Sequence, residues 1–114
     1  MNRRDFLART VAVAAAVRLG RAQPALKSRL ILLGTAGGPT PKKTRAAPAQ
    51  IIVVGDRGYV IDCGNGVARQ MQLAGVFGTL RHVFVTHHHS DHNADLGNLI
   101  LLEWATNLTT SVDV

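Results

Sequence analysis

The apolar residues of this chain fall into short runs of two periods, separated by glycine, proline and charge. Arg29 to Leu33 is a compact apolar run suited to a buried strand, and the Gly34-to-Pro41 segment that follows holds too much glycine and proline for helix or strand. Ala49 to Val54 predicts a second strand and Tyr59 to Ile61 a third, with the turn residues Gly55 to Gly58 between them, which together predict an antiparallel hairpin. The period then changes. Val67, Met71 and Ala74 recur at helical spacing, and Gly75 is placed to stop that helix. Arg81 to Val85 predicts a further strand, with Val83 and Val85 on one face and His82 and Phe84 on the other. From Asn93 onward, Leu96, Leu99, Ile100 and the Glu103-Trp104 pair fit an amphipathic helix ending near Asn107, and Val112 to Val114 begins another strand. No internal repeat is visible.

Strands leading into helices, with polar clusters where the strands end, predict an α/β architecture in which helices cover one face of a sheet. The other face needs a second such layer. The first twenty-two residues read as a signal segment, which leaves roughly 92 residues, too few for that second layer.

That signal reading rests on a basic start, an apolar stretch from Thr10 to Val17, and a small residue at Ala22 suited to cleavage. The stretch is far shorter than the roughly 20 apolar residues of a membrane-spanning helix, so it predicts a signal and not an anchor. Arg3-Arg4 followed by Asp5-Phe6-Leu7 resembles the twin-arginine export signal, and the weak hydrophobicity of the stretch favours that route over an ordinary basic leader. The expectation is a signal over residues 1–22, a linker over 23–28, a domain from 29 to 114, passage through the twin-arginine machinery, and a periplasmic or secreted destination.

Charge changes the picture less than its total suggests. The chain carries +6, but five of its basic residues and one acidic residue lie in the signal, so the remainder carries about +2 and predicts no stable nucleic-acid complex. Only Lys42, Lys43 and Arg45 concentrate charge, on a loop that either stays solvated or meets an anionic substrate. The lone Cys63 has no internal disulfide partner and is expected as a small buried side chain.

The chemistry sits in Thr86-His87-His88-His89-Ser90-Asp91-His92. In extended chain, residues two apart share a side, so His87 and His89 can grip one metal while His88 faces elsewhere. Asp91 and His92 follow where the chain turns into a helix, and their side chains can serve a second ion. A surface histidine tract with adventitious affinity is the alternative, and the placement of Asp91 and His92 between a strand and a helix argues against it. His82 and His88 read as packing or supporting residues.

His87-x-His89-x-Asp91-His92 after an apolar strand resembles the ligand motif of the metallo-β-lactamase fold superfamily. Asp62 with Gly64 resembles the superfamily's earlier Asp-x-Gly motif, and Leu33-Gly34-Thr35 with its Gly/Pro loop resembles the opening of the ribonuclease Z and arylsulfatase-like branch. The resemblance implies the N-terminal half of an αββα sandwich. It implies one metal on His87 and His89 and a second on Asp91 and His92, with Asp62 and Gly64 as structural support beneath. It further implies zinc, two ions in a complete site, a metal-bound hydroxide oriented by Asp91 as the catalytic group, and hydrolysis of a phosphodiester or, next, an arylsulfate ester. The further ligands of such a site, a histidine beyond the next strands, a bridging aspartate and a final histidine, have no counterpart in residues 93–114. The chain is therefore expected to be an N-terminal part, a poor catalyst alone, with a non-catalytic metal-binding remnant as the rival reading and an iron-dependent redox relative as a third.

Overall fold

A computed structural model describes residues 27–106 and 108–114. The expected signal and most of the linker lie outside the described residues. Strand β1 spans Ser28–Gly34, β2 Ala49–Val54 and β3 Arg57–Ile61. Helix α1 spans Val67–Leu73, β4 Leu80–Phe84, the single turn α2 Ser90–Asn93, and α3 Leu96–Ala105.

The four strands form one sheet in the order β1-β2-β3-β4. Antiparallel β2 and β3 meet as the expected hairpin, Val54 opposite Arg57 across the Gly55-Asp56 turn. Its strands are rich in β-branched residues, whose stiff side chains pack well on a pleated surface. The pairing of β3 with β4 is parallel, Ile61 opposite Phe84. A parallel pair requires a crossover, and α1 supplies it. The two strands therefore end side by side, bringing Asp62 next to the histidine cluster.

Helices cover one face of this sheet, as expected. Alternation sends Leu33, Ala49, Ile51, Val53, Val60 and Val83 to that face, where they pack with Val67 and Met71 of α1 and Leu99 of α3. Each such fully buried aliphatic side chain stabilises the fold by about 1.5–3 kcal/mol relative to an exposed one. Gly75 closes α1 at φ +68, in the left-handed region where a side chain would be strained.

Among the described residues nothing covers the opposite face. Leu30, Leu32, Ile52 and Phe84 are exposed large apolar residues there, and His82 lies between Tyr59 and Phe84, its ring stacked at 5.3 and 6.1 Å. His82 is thus a packing residue. Beyond β4, Asp113 pairs in parallel with His82, and its carbonyl accepts the Val83 N–H at 2.8 Å, so the strand expected at Val112 begins as a single bridge.

Helix α3 departs from expectation at one residue. Leu99 and Glu103 point inward, while Trp104 is 70 % exposed. The helix turns 100° per residue, so Trp104 cannot share the buried line of Leu96, Leu99 and Glu103.

Candidate metal centre

The site is built where parallel strands β3 and β4 end. Asp62 leaves β3 with φ +62, a left-handed conformation uncommon for a side-chain-bearing residue, and its own N–H donates to the Phe84 carbonyl at 2.8 Å. Such backbone costs on the order of 1–3 kcal/mol and persists because its surroundings hold it. Here the holding groups are visible. The Asp62 carboxylate accepts the Thr86 N–H at 2.8 Å and the Thr86 hydroxyl at 2.9 and 3.0 Å, and it meets Nδ1 of His92 at 2.7 Å. Burial alone would push this carboxyl up, but those hydrogen bonds outweigh it and hold Asp62 below the usual carboxylate range.

Residues 63 and 64 tie the same loop to the cluster through backbone. The Cys63 N–H donates to the His92 carbonyl at 2.6 Å, and the Cys63 carbonyl accepts the Asp95 N–H at 3.0 Å. The Cys63 thiol is fully buried and pushed up to about 12 by burial, with the Asp62 and Asp95 carboxylates adding to the effect, so it is an inert core group. At Gly64 a Cβ would fall within 3 Å of the Asp91 and Pro48 carbonyl oxygens and of the Ala47 methyl. Only glycine lets three backbone segments meet there.

The four expected ligands come together as two pairs. Nε2 of His87 stands 3.1 Å from Nδ1 of His89, and Nε2 of His92 stands 3.5 Å from Oδ2 of Asp91. The rings of His87 and His92 lie 4.1 Å apart, which puts the pairs side by side. Two donors each about 2.0–2.2 Å from a tetrahedral ion are separated by roughly 3.3–3.6 Å, so each pair has nearly the spacing of two ligands on one ion. Among the described residues no group of three or more His, Cys, Asp or Glu stands in position to hold a metal. The Asp62 carboxylate, beside the cluster, is turned to Thr86 and to Nδ1 of His92.

The tautomer of His92 follows from its neighbour. With a carboxylate against Nδ1, that nitrogen carries the hydrogen, and the Nε2 lone pair then faces the Asp91 carboxylate. A carboxylate behind a histidine is a recurrent support of metal ligands because it fixes the tautomer and the ring direction. The residues present therefore fit a metal ion as two half-sets of ligands.

His88 stays outside, exposed, its Nδ1 3.3 Å from the Asn93 amide. Two supporting residues escape a reading of the sequence alone. Thr86 shows itself there only by standing directly before the cluster. Asp95 accepts the Gly66 N–H at 2.7 Å and so joins the cluster's helix to the start of α1, a partnership across 29 positions with no local signal. Beside the cluster, a cleft of about 220 Å³ is lined by Lys42, Arg45, Asn65, Ser90 and Asp91, among others.

A sheet with helices on one face, an open apolar face behind, and a histidine-aspartate cluster at the ends of its parallel strands is one half of an αββα sandwich. The defining pattern of the Metallo-beta-lactamase superfamily matches residues 45–111, and the chain belongs to that superfamily. It is 43 % identical over 82 residues to Ribonuclease Z of Mycobacterium sp. (strain KMS), covering 71 % of this chain and 28 % of that protein. The chain thus spans a little over a quarter of the curated relatives it matches. Among solved structures it is similar to human tRNase Z, short form (TM-score 0.66, 27 % identity, 75 % of this chain and 32 % of that one). It is similar also to the metallo-beta-lactamase fold protein YhfI from Bacillus subtilis (TM-score 0.64, 26 % identity, 75 % and 34 %).

Proposed function

We propose that this chain provides the first half of the metal site of a zinc-dependent hydrolase acting on phosphodiesters. The observation that carries the reading is the paired geometry, His87 with His89 and Asp91 with His92, each near the spacing of two ligands on one ion. His87 and His89 would hold one ion, and Asp91 and His92 the other. Zinc, when bound, acidifies a water to near neutrality and stabilises negative charge growing on the ester. The chain's own residues do the rest. Asp62 holds the His92 hydrogen on Nδ1 and keeps Nε2 turned toward Asp91, where the two would hold an ion. Asp91, buried and lining the cleft, would bind metal and orient the nucleophile. Lys42 and Arg45 on the cleft wall attract an anionic ester, and the ribonuclease Z name of the relatives favours phosphate over sulfate. The Arg3-Arg4-Asp5-Phe6-Leu7 start supports a site of action outside the cytoplasm.

The test is hydrolysis of bis(p-nitrophenyl) phosphate, with p-nitrophenyl sulfate as the competing ester, by zinc-loaded protein carrying this chain. Diester turnover that disappears in His87→Ala supports the reading. Turnover of the sulfate alone moves the protein to the arylsulfatase side, and turnover of neither overturns it.

A further inference from the structure

The hydrogens around Asp62 run in one direction. Its carboxylate can only accept, and its oxygens lie 2.9 and 3.0 Å from the Thr86 hydroxyl oxygen, so the single hydroxyl hydrogen points to Asp62. The same hydroxyl oxygen stands 3.0 Å from Nδ1 of His87. With its hydrogen committed, the hydroxyl has only lone pairs left for that ring, and Nδ1 of His87 must carry the hydrogen that joins them. Nε2 of His87 then holds a lone pair. It faces Nδ1 of His89 at 3.1 Å, so in the metal-free chain His89 donates from Nδ1. The order His89, His87, Thr86, Asp62 is a chain of donors that ends on one carboxylate, and His92 donates directly to that carboxylate at 2.7 Å. Bonds aligned in this way polarise and strengthen one another. His87 and Thr86 are exposed, so water competes at Nδ1 of His87, whereas Asp62 is buried and fixes the hydroxyl from within.

From this arrangement we infer that Thr86 is a positioning residue for His87: through its hydroxyl, Asp62 sets the tautomer of a ligand in the first pair, as it sets that of His92 in the second by direct contact. One carboxylate thereby governs a ligand of each ion. Which nitrogen of a histidine is free for a metal is decided by the hydrogen bond that the other nitrogen makes, and here the bond at Nδ1 leaves Nε2 free in both rings. The inference rests on the reading of the cluster as two half-sets of metal ligands and extends it to the residue that precedes them. The side chain at 86 acts through its hydroxyl alone, so valine, which keeps the branched shape without that group, separates positioning from packing.

The experiment is nitrogen NMR of the isotope-labelled full chain, metal-free with chelator present, at about pH 8.5, well above the usual histidine value of about 6.5. Correlations from the carbon-bound ring hydrogens distinguish an N–H nitrogen from one with a lone pair. Wild type is expected to show the hydrogen on Nδ1 in both His87 and His92. In Thr86→Val, His87 is expected to pass mainly to the Nε2–H form while His92 stays as in wild type, and Thr86→Ser is expected to restore His87. Competition with a chromophoric chelator is expected to show zinc affinity about tenfold lower in Thr86→Val, the lower end of the usual range because His87 is exposed, and near wild type in Thr86→Ser. The tautomers are read without metal or ester, so a protein that shows them and hydrolyses neither test ester would sink the phosphodiesterase reading alone. Hydrogen on Nε2 of His87 in wild type, an unchanged His87 or unchanged zinc affinity in Thr86→Val, an equal change at His92 in that variant, or no rescue by serine overturns the inference.

Discussion

Nδ1 of His92 and the Asp62 carboxylate stand 2.7 Å apart although 30 positions separate them in the chain. The contact exists because β3 and β4 run parallel and end together. It makes Asp62 a positioning residue for Nε2 of His92. Asp62→Asn is the informative change, since asparagine tolerates φ +62 and still accepts the Thr86 N–H. Its amide would present N–H to Nδ1, shift the ring proton to Nε2 and remove the ligand lone pair. The expected result is a folded protein whose zinc affinity falls about 10–100-fold, measured by competition with a chromophoric chelator. Wild-type affinity in Asp62→Asn would refute the role.

The histidines divide by position in the same assay. His87→Ala removes one member of the 3.1 Å pair and is expected to lower bound zinc, while His88→Ala, whose ring is exposed and bonded to the Asn93 amide, is expected to leave it near wild type. Equal losses from both would show that alternation along residues 87–89 does not select the ligands.

Much of the fold and the position of the histidine-aspartate cluster at a strand end are legible in the amino-acid order alone, and the parts that are not have one cause. Ala49 to Val54 and its hairpin follow from β-branched residues bounded by turn chemistry, and α1 from apolar spacing closed by Gly75, all local signals. The pairing of β3 with β4, the Thr86 bonds to Asp62 and the Asp95 bond to Gly66 join residues far apart in sequence, where no pattern records them. Apolar character alone would put Trp104 inside, but the line set by Leu99 and Glu103 leaves it out. Glu103 is the reverse case, a charged residue with no exposed surface.

Glycine at 64 is enforced by contact and not by dihedral angle. In Gly64→Ala, backbone at Asp91 or Pro48 must move, so a loss of stability at the upper end of the usual overpacking range, about 3 kcal/mol, is expected, together with weaker zinc binding. Gly97→Ala is the control. No atom lies within 4 Å of a Cβ added at Gly97 in α3, and alanine there is expected to stabilise by about 0.5–1 kcal/mol. Urea unfolding of the pair measures both, and similar midpoints would mean that the crossing at Gly64 relaxes freely.

Glu103 provides the pH dependence. Its carboxylate is fully buried on α3 and accepts the Gly78 N–H at 2.8 and 3.1 Å, before β4. Burial raises this carboxyl, and the Gly78 bond and the Arg81 charge only partly oppose it, so the folded chain binds the proton more tightly than the unfolded one. Between the unfolded and the raised folded value the native state holds more protons, and linkage makes stability fall as pH rises through that window. Glutamine resembles the protonated acid and does not titrate. Urea midpoints of wild type should therefore fall relative to Glu103→Gln as pH rises from the ordinary carboxylate range toward neutrality. Parallel pH profiles for the two proteins would mean that the ionised carboxylate is as well accommodated as the acid, with Gly78 and Arg81 offsetting the whole cost of burial.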